Sequence, residues 1–358
     1  MAQMNKRIVR SLAAVALLLA FTGVAQAADE FSITKLKDNV FAVLRNDPPG
    51  YAVESNSGFI ECAEHLVVVD AQSNDATTGR VLAAIRRVTN KPVRYLINTH
   101  WHDDHIVGNR VYRDAFPSMQ FIGHAASLEY LPTQGKQNRD QFHRAIPGVL
   151  ESFRTTLTNG QTSDGKSLSE EQRRSLESDI RLGEGYASVP DDFVAILPDM
   201  PVKDKHSIRD AGCVIDVLAL GNAHTTGDLV VHLPEQGVAF VGDVVGWPVP
   251  LVGPEQSRVR EWPGTLTRIR NLKAAMVVPG HGPVMRDNAH IDRVINLMST
   301  ITRRVDEVRP GSASLEAARD RLHLSDLRRQ FAGDSEVKGA LFDGYVAGPA
   351  VVNVWNIR

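Results

Sequence analysis

Between Thr99 and His105 the chain reads Thr-His-Trp-His-Asp-Asp-His, which places three imidazoles and two carboxylates within six residues. Imidazole nitrogens and carboxylate oxygens suit zinc, iron and manganese. Residues i and i+2 of an extended chain point the same way, so His100 and His102 can reach one metal ion. Asp104 and His105 lie about a turn further on, where a helix is expected to start, and can reach a second. A single histidine here would read as an ordinary polar loop residue. Three, interleaved with aspartates directly after an apolar run, point to metal binding.

Three later segments offer further donors. They are His224 in Gly221-Asn222-Ala223-His224-Thr225-Thr226-Gly227-Asp228, Asp243 in Val241-Gly242-Asp243, and His281 in Pro279-Gly280-His281-Gly282-Pro283. Taken singly, His281 between glycines reads equally as a surface turn and Asp243 as a cap. Each nevertheless follows a strand-like run, and loops at strand ends are where scaffolds hold functional groups.

The elements that must position these residues are legible in outline. Val40–Leu44, Gly58–Cys62, His65–Val69 and Val93–Ile97 are short, β-branched runs separated by turn residues. Val81, Leu82, Ile85 and Val88 recur at helical spacing. Strand signals return at Val214–Leu220, Leu229–Leu233, Val238–Val241 and Ala275–Val278, and helices are expected near Ile291–Val308 and Ser314–Leu322. Between the two halves, about 125–200, the chain is polar and helix-favouring, with segments near Gln137–Thr158 and Ser167–Leu182. This stretch reads as a helical insertion, with Ser167 and Glu170 as a capping box. Because it follows the first histidine loop, it is expected to cover the site's mouth. Trp247 either lines that mouth or simply packs in the core. The tail from Asp334 has no clear period and is not assigned an element. The alternation implies an α/β architecture of two sheets between helices.

The series HxHxDH, GNxHTxGD, GD and GHG resembles that of the metallo-β-lactamase superfamily, over most of the chain from Ser57 to Pro283. The resemblance implies a four-layer αβ/βα sandwich. It also implies a ligand set of His100, His102 and His224 for a first metal, Asp104, His105 and His281 for a second, and Asp243 between them. Asp70, at the end of its strand, matches a position that supports a ligand histidine. Two zinc ions per chain are expected, with iron or manganese as the alternative.

The resemblance further implies a hydrolase in which hydroxide held between the metals attacks a carbonyl, with Asp104 orienting it and moving a proton to the leaving group. The substrate is expected to be a small ester, thioester, lactone or lactam with a negative charge nearby. Class B β-lactamase proper is the alternative. One β-lactamase subclass carries Arg where His105 stands and Cys where Asp243 stands, and another shares His105 but lacks the bridging Asp. Asp243 is instead typical of thioesterases and lactonases. The diiron oxygen reductases carry Glu where His102 stands, a departure that argues for hydrolysis over redox chemistry. An iron redox enzyme and a non-catalytic metal-binding protein remain as readings of another class.

Composition narrows the partners. Lys plus Arg number 40 against 42 for Asp plus Glu, without a basic run, so nucleic acid is not an expected ligand. Residues 1–27 carry Lys6, Arg7 and Arg10, an apolar run from Leu12 to Val24, and Ala25-Gln26-Ala27. That is the pattern of a secretory signal peptide, and the run is shorter than the roughly 20 residues of a membrane span. A periplasmic or secreted domain over 28–358 is therefore expected. Cys62 and Cys213 are the only cysteines. They read as two buried free thiols, with a disulfide as the alternative that export would permit.

Overall fold

A computed structural model describes residues 30–357; the leader and its cleavage position lie outside the described residues. The first sheet hydrogen-bonds seven strands in chain order: β1 (Phe31–Lys37), β2 (Val40–Arg45), β3 (Ser57–Glu61), β4 (Leu66–Val69), β5 (Val93–Ile97), β6 (Gln120–His124) and β7 (Met200–Val202). It is antiparallel from β1 to β4 and parallel from β4 to β7. The second sheet contains β8 (Lys205–Asp210), β9 (Cys213–Leu218), β10 (Val230–Leu233), β11 (Val238–Gly242) and β12 (Met276–Pro279), also in chain order. Only β11 and β12 pair in parallel there.

The helices are α1 (Asp75–Val88), α2 (Asp103–Ile106), α3 (Asn109–Ala115), α4 (Ser127–Tyr130), α5 (Lys136–Asn159), α6 (Glu170–Ala187), α7 (Trp262–Asn271), α8 (Ala289–Val308), α9 (Leu315–Arg319), α10 (Ser325–Ala332), α11 (Glu336–Phe342) and α12 (Gly348–Asn356). Three apolar layers hold them to the sheets. Ile60, Val67, Ile97, Ile215, Val231 and Phe240 interleave between the two sheets. Val68, Leu96 and Phe121 on the outer face of the first sheet pack on Val81, Leu82 and Ile85 of α1 and Tyr112 of α3. Val241 and Val277 on the outer face of the second pack on Trp262, Leu266, Val294, Leu297 and Phe342. The result is a four-layer αβ/βα sandwich. The sheets meet closely at Gly58, where a Cβ would stand 2.2 Å from the Phe240 ring.

The structure corrects three sequence-based expectations. Cys62 and Cys213 form a disulfide, not free thiols: the cores of the two sheets bring their Cα atoms to 5.2 Å across 151 residues of chain, a proximity no local pattern encodes. The capping box lies two residues later, at Ser169 and Gln172, whose side chains each accept the other's backbone N–H. Ser167 is held extended in a bridge to Gln161 and is not available as a cap. The tail from Asp334 does form elements, α11 and α12, which bury Val337, Phe342, Val351 and Val354 in the outer core of the second sheet.

Candidate metal centre

The carboxyl ends of β4, β5, β11 and β12 lie together, and the loops leaving them carry most of the candidate ligands. Ligands commonly bind at this edge of parallel strands. Asp70 follows β4 and takes a left-handed conformation (φ 58°), unusual for a residue other than glycine. His100 and His102 follow β5, with His102 at the N-cap of α2 and Asp104 and His105 inside that helix. His224 lies in the loop after β9, Asp243 directly after β11 and His281 after β12. Gly280 permits this last approach, because a Cβ there would fall 1.9 Å from Asp243 Oδ1.

All seven side chains converge. One nitrogen of each of His100, His102 and His224 and one oxygen of Asp243 lie within 4.8 Å of one another, and so do donor atoms of Asp104, His105 and His281. Asp243 faces both groups: its Oδ2 is 3.5 Å from His224 Nε2 and 3.2 Å from His281 Nε2, and its Oδ1 is 3.3 Å from His105 Nε2. Asp104 Oδ2 lies 3.4 Å from His105 Nε2 and 3.3 Å from His281 Nε2.

Each of the five histidines is held at one ring nitrogen, leaving the other for the centre. His105 Nδ1 donates to Asp70 Oδ2 (2.9 Å), His224 Nδ1 to the Leu251 carbonyl (2.7 Å) and His281 Nδ1 to the Glu54 carbonyl (3.1 Å). His102 Nε2 donates to Gln256 Oε1 (2.8 Å), so its Nδ1 turns inward, 2.8 Å from His224 Nε2. The Thr99 hydroxyl gives its one proton to Asp70, so it accepts from His100 Nδ1 at 3.2 Å. The inward atoms His100 Nε2, His105 Nε2, His281 Nε2, Asp104 Oδ2 and Asp243 Oδ1 are buried without a hydrogen-bond partner. Buried polar atoms are normally paired. Five such atoms turned into the two clusters, with the histidines oriented from behind, fit the donor set of a metal centre.

Electrostatics without metal show what a cation would replace. Burial, together with His105 and His102, keeps His100 well below the usual imidazole range, and burial with His102 lowers His224 to about 3. Burial would also lower His105 and His281, but Asp104, Asp70 and Asp243 reverse it for His105, and Asp243 and Asp104 raise His281 to about 10. Burial would raise Asp104 and Asp243, yet these imidazoles hold both carboxyls well below their usual range. Protons on His105 and His281 thus balance the two carboxylates, and metal binding must displace them.

Sequence reasoning did not find Gln256, the Leu251 and Glu54 carbonyls or Asp228. Asp228 accepts from the Thr225 backbone N–H and hydroxyl and fixes the His224 loop. Only Asp228 had a local signal, as the last residue of Gly221–Asp228. Trp247 lines a smaller cavity of about 410 Å³ beside His281 and packs on the second sheet's outer core. The larger cavity, about 570 Å³, opens on His102 and Asp104 and is walled by α5 and α6.

The family model of the metallo-beta-lactamase superfamily matches residues 50–281. The linear primary-alkylsulfatase of Pseudomonas sp. (strain ATCC 19151) is 23% identical over 247 residues, covering 66% of this chain but only 43% of that protein's length. The metallo-beta-lactamase type 2 of Bacteroides fragilis is 23% identical over 261 residues, covering 71% of this chain and 80% of the relative. Among solved structures, the metallo-beta-lactamase FIM-1 from Pseudomonas aeruginosa in the mono-zinc form superposes with a TM-score of 0.51 at 16% identity, over 75% of this chain and 95% of the other. At that identity the likeness concerns the fold alone.

Proposed function

The chain belongs to the metallo-β-lactamase superfamily, and from that membership we propose an exported zinc hydrolase that opens an ester-type bond of a small molecule at a two-metal centre. The observation that carries this reading is the convergence of donor atoms from seven side chains, with each of the five histidines held at its opposite ring nitrogen. His100, His102 and His224 would hold one ion, Asp104, His105 and His281 the other, and Asp243 would lie between them. When bound, such a pair of ions ionises water near neutral pH and polarises a substrate oxygen.

The chain's own residues supply the rest. Asp104 is buried, and its Oδ2, 3.4 Å from His105 Nε2 and 3.3 Å from His281 Nε2, lies where the centre meets the larger cavity. There it orients the attacking water and passes its proton to the leaving atom. The Asp104 backbone carbonyl accepts from the Ser55 hydroxyl at 2.6 Å, which ties the start of α2 to the loop before β3. Asp70 holds His105 in one tautomer, and Gln256 does the same for His102. The cavity wall offers little to an anionic substrate group, because Arg139 is bound to Asp103 by both Nε and a terminal nitrogen. Attraction for a negative charge would come from the ions. The Cys62–Cys213 disulfide supports an oxidising destination outside the cytoplasm.

The test is a panel of esters, thioesters, lactones, β-lactams, alkyl sulfates and phosphodiesters offered to the zinc-loaded protein. Turnover of at least one carbonyl substrate is expected. β-Lactam cleavage alone would assign the chain to the β-lactamases proper. Turnover confined to alkyl sulfates or phosphodiesters, or none at all, would overturn the reading.

A further inference from the structure

We propose that the substrate carries a linear apolar chain, acyl or alkyl, that lies between α5 and α6 while its reacting group sits at His102 and Asp104; the inference rests on the hydrolase reading above. Phe142, Ile146, Val149, Leu150 and Phe153 form one stripe along α5, and Tyr186 faces them from α6. Their spacing places them on a single helical face. In a helix hairpin that stripe should be closed by its partner helix, but here it is only half closed. Ile146 and Leu150 are buried, whereas Phe142 and Val149 are each 41% exposed and border the cavity. Gly183 lets α6 approach Leu150, whose Cδ2 would lie 2.7 Å from a Cβ at that position.

The polar groups of the same wall are already satisfied. The Tyr186 hydroxyl donates to the Val53 carbonyl, Asn138 donates to the Tyr130 hydroxyl, and Arg139 is bound to Asp103. Asp179 accepts from the Ala52 N–H. The α5–α6 wall therefore offers chiefly apolar surface, its nearby polar side chains each having a partner, while the other end of the cavity is at His102 and Asp104. A volume of about 570 Å³ lies within the roughly 300–1,000 Å³ of sites that enclose a small-molecule ligand. An amphiphile with one hydrolysable head matches both ends.

Two series test this on the full-length protein. In the first, 4-nitrophenyl esters from acetate to octanoate are hydrolysed by the zinc-loaded protein. In the second, n-alkanols from butanol to decanol are titrated calorimetrically into the metal-free protein. Both kcat/KM and alkanol affinity are expected to rise by up to about fourfold per added methylene. Val149→Asp, at an exposed position that should leave folding intact, should lower the octanoate-to-acetate ratio by on the order of tenfold by placing a charge on the apolar wall. Phe142→Ser should act in the same direction, and urea midpoints check that both variants fold. A flat alkanol series overturns the proposal, as does ester hydrolysis indifferent to chain length. Alkanol binding that rises with length, without turnover of any ester, thioester, lactone or β-lactam, supports the apolar site and overturns the hydrolase reading instead.

Discussion

Replacing Asp70 by Asn isolates the role of one carboxylate behind the centre. The left-handed backbone at this position is tolerated by Asn as well as by Asp, so the substitution leaves the turn unstrained. The side chain changes more. Three donors converge on Asp70: the Thr99 N–H on Oδ1 (2.7 Å), and the Thr99 hydroxyl (2.7 Å) and His105 Nδ1 (2.9 Å) on Oδ2. An amide has one oxygen. Either the Thr99 N–H meets an NH₂ group, or His105 loses its acceptor and the tautomer that keeps Nε2 free. Losing one buried hydrogen bond to a charged group costs about 1.5–3 kcal/mol. Losing an acceptor behind a metal ligand typically weakens metal binding by about 10–100-fold, or about 1.4–2.7 kcal/mol. Zinc competition against a chromophoric chelator, paired with urea unfolding of the metal-free protein, measures both effects. An Asp70→Asn variant that binds the second zinc as tightly as the parent would refute the assignment of Asp70 as the group that orients His105.

Asp104→Asn should leave the fold intact and lower kcat by about 10²–10⁴-fold, read by steady-state kinetics beside circular dichroism; unchanged turnover would remove Asp104 from the mechanism. Replacing Cys62 and Cys213 together by Ala opens a loop of 151 residues, and the chain-entropy model puts the loss near 5 kcal/mol. A shift of the urea midpoint worth less than about 1 kcal/mol would argue against the bridge. Burial raises Glu54 from 4.5 to about 7, against the opposing pull of Arg45. The folded state therefore keeps this proton longer than the unfolded one. Its contribution is greatest below about 4.5, falls as pH rises to about 7 and is then constant, a total of roughly 3 kcal/mol. Glu54→Gln should remove that slope in metal-free protein, so unfolding at pH 5 and pH 8 should differ less than in the parent.

The candidate centre was legible in the sequence because its donors sit in short loops directly after apolar strands. His100, His102, Asp104 and His105 share one such loop, and Asp70, Asp243 and His281 each end a strand. The acceptors behind them were not legible. Gln256 reaches His102, and the Leu251 carbonyl reaches His224, only because the loop after β11 folds back over the site; nothing in their local sequence distinguishes them from other loop residues. The strands β1, β6, β7 and β8 passed unnoticed, β8 because it lies half-exposed at a sheet edge. In Lys205–Asp210 only Ile208 is fully buried, so a half-exposed strand carries almost no hydrophobic period. The cysteine pair joined across 151 residues and the apolar stripe left open on α5 are products of packing between distant elements.

In the proposed reading, seven side chains form one centre for two metal ions. Native mass spectrometry of the zinc-reconstituted protein after exhaustive dialysis, with elemental analysis of the same sample, tests it directly. The account predicts two zinc ions per chain, falling to one or none when Asp243 is replaced by Ala. Saturation at a single zinc, or a purified protein whose tightly held metal is iron and not zinc, would contradict it.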